Sequence, residues 1–179
     1  MAMQDAIALL KADHAAVKKL FAREEKATKQ GGQEKKDIFN QIKAALEVHA
    51  TIEEEIFYPA VKKARSENVK DEVREAYEEH KQIKGLLVQI ASITPADETY
   101  GMKIKVLKED VEHHVKEEES EMFPDAKEYL GEKRLAALGE QMNTRKLELE
   151  NTRGNDEHVQ QGHRGRPPLN FRNQSQGDK

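Results

Sequence analysis

The chain has 179 residues and a formal net charge of −4, and charged residues make up 36% of it. Hydrophobic residues contribute only another 36% and Trp is absent, which disfavours a large globular core and favours a small bundle with narrow apolar seams. The absence of cysteine excludes disulfides and thiolate metal sites, so any metal ligand must offer nitrogen or oxygen.

Four long stretches of the chain carry apolar residues at the three-to-four-residue spacing of an amphipathic helix. The predicted helices run from about 3–28, 33–64, 69–92 and 98–129. The breaks between them are Gly31-Gly32, Ser66-Glu67-Asn68 and Thr94-Pro95-Ala96-Asp97. Long helices joined by short loops predict an all-α fold, an up-down-up-down antiparallel four-helix bundle.

The fourth predicted helix should end at Gly131, since glycine readily takes the left-handed conformation found at helix C-termini. A shorter helix is predicted from 132 to about 149. The chain then becomes polar, with Gly, Pro, Gln and Asn, and we expect it to be disordered. The expected organisation is a bundle at 1–130, an accessory C-terminal helix at 131–151 and a disordered tail at 152–179.

One pattern occurs twice, in the middle of the second and fourth predicted helices. The residues are His49, Glu53 and Pro59 in the first copy, and His114, Glu118 and Pro124 in the second. In each copy the Glu follows the His by four residues, so the two side chains lie one turn apart on the same helix face. An imidazole and a carboxylate that point to one place are a metal-ligand pair by their chemistry. Pro59 removes a backbone donor and is expected to kink or tighten the second helix.

Two further histidines, His14 and His80, lie on the apolar stripes of the first and third predicted helices. Counting from the predicted turns, at a rise of about 1.5 Å per residue, places the polar residues of all four stripes in one thin layer to within roughly 5 Å. The expected cluster is His14, His49, Glu53, His80, His114 and Glu118. The matched spacing of the two halves suggests two related helical hairpins about a pseudo-twofold axis.

A buried cluster of this composition needs a cation. An unpaired carboxylate in an apolar seam costs several kcal/mol, and no Lys or Arg is expected at this level of the stripes. Two carboxylates between two pairs of histidines suit two metals bridged by Glu53 and Glu118. Ligation by nitrogen and oxygen without sulfur suits iron, manganese or zinc.

Other interpretations of these residues exist. A single histidine on an apolar stripe is more often a hydrogen-bonded core residue than a ligand, but four at one level favour a metal site. His113 and Glu117 are also four residues apart and are the alternative ligand pair, shifted by one residue from His114 and Glu118. His113, however, points away from the apolar stripe of the fourth predicted helix. Glu54 and Glu119 are open as either solvated side chains or hydrogen-bond partners of the ligands.

The pattern H…HxxxE…H…HxxxE, with a Glu-rich segment and an aromatic-Pro pair after each HxxxE, resembles the hemerythrin-like family in its bacterial HHE cation-binding form. The resemblance extends from about Ala6 to Tyr129. It implies the four-helix hemerythrin bundle and a non-heme di-iron centre with four terminal histidines and bridging Glu53 and Glu118. The activities it implies are reversible dioxygen binding, reaction with peroxide or nitric oxide, and oxygen or iron sensing.

The chain departs from the oxygen carriers of that family at two places. The carriers have a second His four residues after the third-helix His, where this chain has Lys84. They also have a His and an Asp five apart on the fourth helix, where this chain has His114 and Glu118. These departures favour redox reactivity or sensing over oxygen transport.

We therefore expect a cytoplasmic di-iron protein whose partner is a small diatomic gas or peroxide. Catalase- or peroxidase-like turnover is open, and Tyr58 and Tyr77 are the candidate acid–base residues. The alternatives are an oxygen or iron sensor or interaction module, and a metal-buffering, stress-associated bundle without redox turnover. No membrane partner is expected, because no apolar run approaches the roughly 20 residues that span a bilayer and the start of the chain lacks a signal-peptide layout.

The tail contains Arg164-Gly165-Arg166-Pro167, which resembles the core of an AT-hook, a motif that lies in the minor groove of DNA. The match is four residues long. An ordinary basic tail is the favoured interpretation, with His158 and His163 solvated, and nucleic acid is not expected as a partner.

Overall fold

The computed structural model describes residues 4–27, 32–63 and 67–162. Its α-helices are α1 (Ala6–Lys26), α2 (Gly32–Ile52), α3 (Tyr58–Val61), α4 (Glu67–Ala91), α5 (Glu98–Glu117) and α6 (Phe123–Gly162). Within those ranges no residue is in a β-strand, and no helix is long and apolar enough to cross a membrane. The prediction of an all-α four-helix bundle is confirmed.

The bundle has four helical paths: α1, α2 with α3, α4, and α5 with the first part of α6. The apolar core is divided in two along the bundle, and each path contributes residues to both halves. On α1 the gap between the halves lies between Leu10 and Val17, and on α4 it lies between Ala76 and Ile83. The gap holds the polar residues that sequence analysis found on the stripes. The bundle therefore has an apolar cluster on each side of one polar layer.

Two five-residue π-helical turns join the helices of the second and fourth paths. The first, Glu53–Phe57, connects α2 to α3, and the second, Glu118–Met122, connects α5 to α6. The N–H of the residue after each turn bonds the carbonyl five residues earlier, from Tyr58 to Glu53 and from Phe123 to Glu118. Such wide turns inside helices are frequent at functional sites.

Of the two effects expected at Pro59, tightening is wrong, because the helix widens into a π-helical turn just before the proline. Pro59 is the second residue of α3, and Pro124 is the second residue of α6. Both of these helices begin directly after a π-helical turn. Proline is tolerated in the first turn of a helix, because the N–H groups there make no hydrogen bond within that helix. The extra residue of the π-helical turn precedes that position in both copies.

Helix α6 contains a sharp change of direction at Gly131, whose φ of 69° lies in the left-handed region. Gly131 thus ends the fourth bundle helix as expected. The accessory helix that follows is longer than the predicted 132–149, since the backbone is helical to Gly162. Ion pairs of Arg145 with Glu55 and of Arg153 with Glu47 hold it along the second path. The motif at 164–167 lies outside the described residues.

The accessory part of α6 packs on the first residues of α1. Leu135, Leu138 and Met142 are buried and belong to the same apolar cluster as Leu9 and Leu10. Gly139 faces the backbone just before α1, where a Cβ would lie 2.3 Å from the carbonyl oxygen of Gln4. Only a residue without a side chain allows this close approach of helix to backbone.

We expect Gly139→Ala to lower the free energy of unfolding by about 1–3 kcal/mol, because the added methyl group must push the two segments apart. The measurement is urea denaturation followed by circular dichroism. The matched control is Gly85→Ala on the exposed face of α4, where nothing lies within 4 Å of the new Cβ. Alanine there should stabilise the helix by about 0.5–1 kcal/mol. Equal effects of the two substitutions would contradict the close docking of α6.

Candidate metal centre

Six ionisable side chains meet in the gap between the two apolar clusters, and none is more than 7% exposed. They are His14, His49, Glu53, His80, His114 and Glu118. These are the six residues that the helical spacing placed at one level. Two groups of potential ligand atoms form there, and both include Glu53.

The first group contains the histidines of α1 and α2. The Nε2 atoms of His14 and His49 are 3.2 Å apart. Glu118 Oε2 lies 3.3 Å from His14 Nε2, and Glu53 Oε2 lies 3.2 Å from His49 Nε2. One imidazole pair is therefore met by one oxygen of each glutamate.

The second group repeats this arrangement with the histidines of α4 and α5. The Nε2 atoms of His80 and His114 are 3.1 Å apart. Glu53 Oε2 lies 3.3 Å from His80 Nε2, and Glu118 Oε2 lies 3.5 Å from His114 Nε2. Each carboxylate thus stands between a histidine of one pair and a histidine of the other.

The outward nitrogen of each imidazole faces a carboxylate. The Nδ1 contacts are His14–Glu119 at 2.9 Å, His80–Glu54 at 2.9 Å, His114–Glu79 at 2.7 Å and His49–Asp13 at 3.7 Å. The last distance is too long for a direct hydrogen bond. A carboxylate that accepts from Nδ1–H fixes the tautomer and leaves the Nε2 lone pair directed at the centre, as in metal-binding histidines.

Sequence analysis left Glu54 and Glu119 open, and the structure places both against an imidazole. It missed Asp13 and Glu79. A signal was available, because each of these acids directly precedes a histidine, in Asp13-His14 and Glu79-His80, at corresponding places of the two hairpins. Asp13 contacts His49 and Glu79 contacts His114, and in neither of these contacts does the acid meet the histidine that follows it in sequence. Such a contact between two helices cannot be read from the apolar pattern of one helix.

Two lysines support the outward carboxylates. Lys84 Nζ donates to Glu54 at 2.6 and 2.8 Å, and Lys146 of α6 forms an ion pair with Asp13. Lys84 occupies the position where oxygen carriers of the resembled family have a histidine. Its ammonium group bonds to Glu54, and the Lys84 side chain adds no ligand to the centre.

Tyr58 is the one tyrosine in contact with the cluster among the described residues. Its hydroxyl donates to Glu118 Oε1 at 2.8 Å and lies 3.3 Å from His80 Nε2. Burial and the carboxylates of Glu53 and Glu118 raise the pKa of Tyr58 well above its ordinary value. The phenol therefore keeps its proton at neutral pH. Tyr77 lies further out and donates to the backbone carbonyl of Glu54.

The two central glutamates have opposite electrostatic environments. Burial and the neighbouring Glu118 raise the pKa of Glu53 well above its ordinary value. Burial also opposes ionisation of Glu118, but His114 and His14 outweigh it and hold the pKa of Glu118 well below its usual range. Burial lowers the pKa of His49 to about 4. Without a cation, Glu118 therefore ionises more readily than an ordinary glutamate and Glu53 less readily.

The cluster also contains buried polar atoms without a hydrogen-bond partner. Glu53 Oε1, Glu118 Oε2 and His49 Nδ1 have none, and no Lys or Arg of the described ranges lies within ion-pair distance of either glutamate. Unpaired buried polar atoms of this kind are rare in proteins and point to an ion or water. The donor set therefore fits divalent cations.

An apolar cavity of about 20 Å³, enough for about one water-sized molecule, adjoins the four histidines on one side of the layer. Its walls come mostly from the second apolar cluster, including Val17, Leu46, Ile83, Leu87 and Val111. The cavity offers space for a small uncharged molecule beside the imidazole rings.

Comparison with known proteins gives three findings. The profile of the Hemerythrin family, described as the hemerythrin HHE cation binding domain, matches residues 5–126. A DNA nickase of Nostoc sp. strain PCC 7120 is 33% identical over 123 residues, which is 69% of this chain but 33% of the nickase. The chain therefore spans about a third of that relative's length. A crystal structure of a hemerythrin HHE cation binding domain-containing protein from Mycobacterium kansasii superposes with a TM-score of 0.74 and 25% identity, over 84% of this chain and 90% of that one.

The raised pKa of Glu53 predicts a pH-dependent effect of Glu53→Gln in chelator-treated, metal-free protein. Because the pKa of Glu53 in the folded state lies above its unfolded value, wild-type stability falls as pH rises between the two. The amide removes this loss, and we expect the variant to be more stable by about 1–2 kcal/mol at neutral pH. Thermal unfolding at several pH values measures the difference, which should widen as pH rises.

The control for this experiment is Glu112→Gln, an exposed position of α5 that makes the same charge change. Its melting temperature should follow the wild type at every pH. A Glu53→Gln variant that is destabilised in the metal-free state, or whose difference from wild type does not change with pH, would contradict the electrostatic account of the cluster.

Proposed function

Since the chain belongs to the hemerythrin HHE cation-binding domain family, we propose that it is a non-heme di-iron protein that binds or reacts with dioxygen, peroxide or nitric oxide. The observation that carries the proposal is the convergence of two imidazole pairs on two buried carboxylates. The proposed terminal ligands are His14, His49, His80 and His114, and the proposed bridging ligands are Glu53 and Glu118.

The chemistry of the donor set supports iron. Four imidazole nitrogens and two carboxylates without sulfur suit iron, and manganese or zinc also accept such ligands. The two carboxylates would be ionised on binding, and divalent cations would offset the burial and charge repulsion that raise the pKa of Glu53. A bound iron pair would supply a Lewis acid and a redox centre.

The chain's own residues would control what reaches the centre. The walls of the apolar cavity exclude water and hydrated ions and leave room for a small neutral molecule. Lys84 lines the cavity but is bonded to Glu54, so its charge is balanced. These features support a diatomic gas or peroxide as the small-molecule partner.

Tyr58 is the residue best placed to handle a proton. Its hydroxyl is within hydrogen-bond distance of Glu118 and keeps its proton at neutral pH. In that position it would hold a proton at its Oη beside the centre and donate a hydrogen bond to Glu118 Oε1. The arrangement supports turnover of peroxide over storage of metal alone, because storage needs no proton donor inside the centre.

A second candidate function is that of an oxygen or iron sensor. The observation that favours it is the ion pair of Lys146 with Asp13, since Asp13 lies beside His49 and Lys146 belongs to the accessory part of α6. A structural change at the metal centre would be transmitted to α6 through the carboxylate of Asp13. Nucleic acid is not part of either proposal, because the match to the nickase covers only a third of that protein.

Spectroscopy of the purified full chain separates the candidate functions. The di-iron proposal expects about two irons per chain and a near-ultraviolet absorption band that appears in air and bleaches on reduction. Consumption of peroxide by the pure protein would make it an enzyme. Metal buffering without redox chemistry expects bound metal whose spectrum does not respond to oxygen or reductant, and that result would overturn the proposal.

We expect His49→Ala and His114→Ala each to lower bound iron and the melting temperature of the iron-loaded protein together, because each removes a ligand from a different imidazole pair. Metal analysis and thermal unfolding measure the two quantities on the same samples. The control is His163→Ala, a histidine outside the described residues, which should change neither. Wild-type metal content and stability in both ligand variants would refute the proposed ligand set.

The cavity predicts a substitution that affects ligand binding without affecting metal content. Val111→Phe should fill part of the space beside the histidines and weaken azide or nitric oxide binding at least about tenfold, since about 1.4 kcal/mol of lost affinity corresponds to that factor. Spectroscopic titration of the iron-loaded protein measures the binding constant. Val88→Phe, at an α4 position that is 68% exposed, is the control and should leave it unchanged. Equal affinities in all three proteins would show that the ligand does not use this cavity.

A further inference from the structure

A cleft lined by carboxylates opens on the seam between α4 and the path of α5 and its π-helical turn. It has a volume of about 50 Å³, and its acidic lining residues are Glu72, Glu75, Glu79, Glu117, Glu118 and Glu121. Within the described parts of the chain, no Lys or Arg lies within ion-pair distance of any of them, and only histidines do. The cleft is therefore a concentrated negative region without cationic partners.

A histidine stands at this seam on the solvent side. His113 is largely exposed, with its Nε2 3.0 Å from Glu117 Oε1 and 3.7 Å from Glu79 Oε1. One ligand atom from each of the three residues lies within 4.8 Å of the others, as a single cation would require. The pair that sequence analysis treated as the alternative ligand pair thus forms a second cluster outside the buried one.

Glu79 connects the outer cluster to the buried centre. Its Oε1 faces His113, while its Oε2 accepts from Nδ1 of His114 at 2.7 Å. The Nε2 of that imidazole is one of the atoms directed at the centre. Only one carboxylate and one ring separate the two clusters.

The cleft reaches a buried residue of the centre. Glu118 lines it, is 1% exposed, and has no hydrogen-bond partner for its Oε2. Glu72 Oε2 on the same lining also lacks a partner. Burial, Asp125 and Glu121 raise the pKa of Glu72 above its ordinary value, which reports the accumulated negative charge. The carboxylates of the lining thus run from the surface to Glu118, whose Oε2 faces the imidazoles of the buried layer.

We propose that Glu79, His113 and Glu117 form a solvent-facing capture site for a divalent transition-metal cation, and that the acidic cleft conducts the cation to Glu118. The proposal rests on the proposed metal function and adds the route by which metal arrives. Clustered charges beside low-dielectric walls concentrate counter-ions and accelerate their association. The imidazole of His113 favours iron, manganese or zinc over magnesium and calcium, which prefer oxygen alone.

The other openings to the centre are poorer routes for a cation. The cavity beside the histidines is apolar, and a charged ion would lose its hydration there without replacement. The groove between α1 and α5 also reaches His14, but its three lysines outnumber its two glutamates, Glu112 and Glu119, and repel a cation. The acidic cleft combines negative charge, a ligand nitrogen and contact with a residue of the centre.

The test follows cobalt(II) uptake by the metal-free full chain in a stopped-flow spectrometer, using the absorption of the loaded centre. The variant His113→Gln/Glu117→Gln removes the nitrogen and one charge of the capture site and leaves Glu79 in place to orient His114. We expect its initial uptake rate to fall about tenfold at low ionic strength, with the same final cobalt content and spectrum as wild type. Added salt should slow the wild type more than the variant.

Glu112→Gln, an exposed position on α5 that is not part of the cleft, is the matched control and should load at the wild-type rate. Equal uptake rates in the double variant and the wild type would overturn the capture site while leaving the proposed function intact. A lower final cobalt content in the double variant would also overturn it, since the residues would then belong to the centre itself. Failure of the wild type to bind cobalt would overturn both the proposed function and this inference.

Discussion

The structure depends on the burial of two carboxylates between four imidazoles in the middle of an apolar bundle. Glu53 and Glu118 are almost fully buried and have no lysine or arginine counter-ion among the described residues. Such a layer is costly without a cation, because a buried carboxylate in an apolar seam loses its hydration. The division of the apolar core into two clusters follows from the need to accommodate this layer.

The layer is held by a second set of carboxylates outside it. Each imidazole has an acid near its outward nitrogen, and the acids Glu54 and Asp13 are in turn bonded to lysines. At His14, His80 and His114 these hydrogen bonds fix which ring nitrogen carries the proton before any metal arrives. The same network extends to the accessory part of α6 through Lys146 and to the solvent-facing cluster through Glu79, so the proposed sensing contact and the proposed route of metal entry both use it.

Much of this arrangement could be predicted from the sequence, because helical period and loop length together fix the level of a residue in an antiparallel bundle. The repeated spacing of His49 with Glu53 supplied the two ligand pairs. The π-helical turns were missed, since a shift of one hydrogen bond leaves the apolar spacing nearly unchanged. Glu79 was missed because its partner is on another helix, and the length of α6 depends on ion pairs such as that of Arg153 with Glu47.

The most direct test of the account is a metal titration of chelator-treated wild-type protein, with bound metal and melting temperature measured on the same samples. If cations hold the buried layer together, iron(II) added without oxygen should bind at about two ions per chain and raise the melting temperature until both sites are filled. A metal-free protein whose melting temperature does not rise when iron(II), manganese(II) or zinc(II) is added would contradict the central claim.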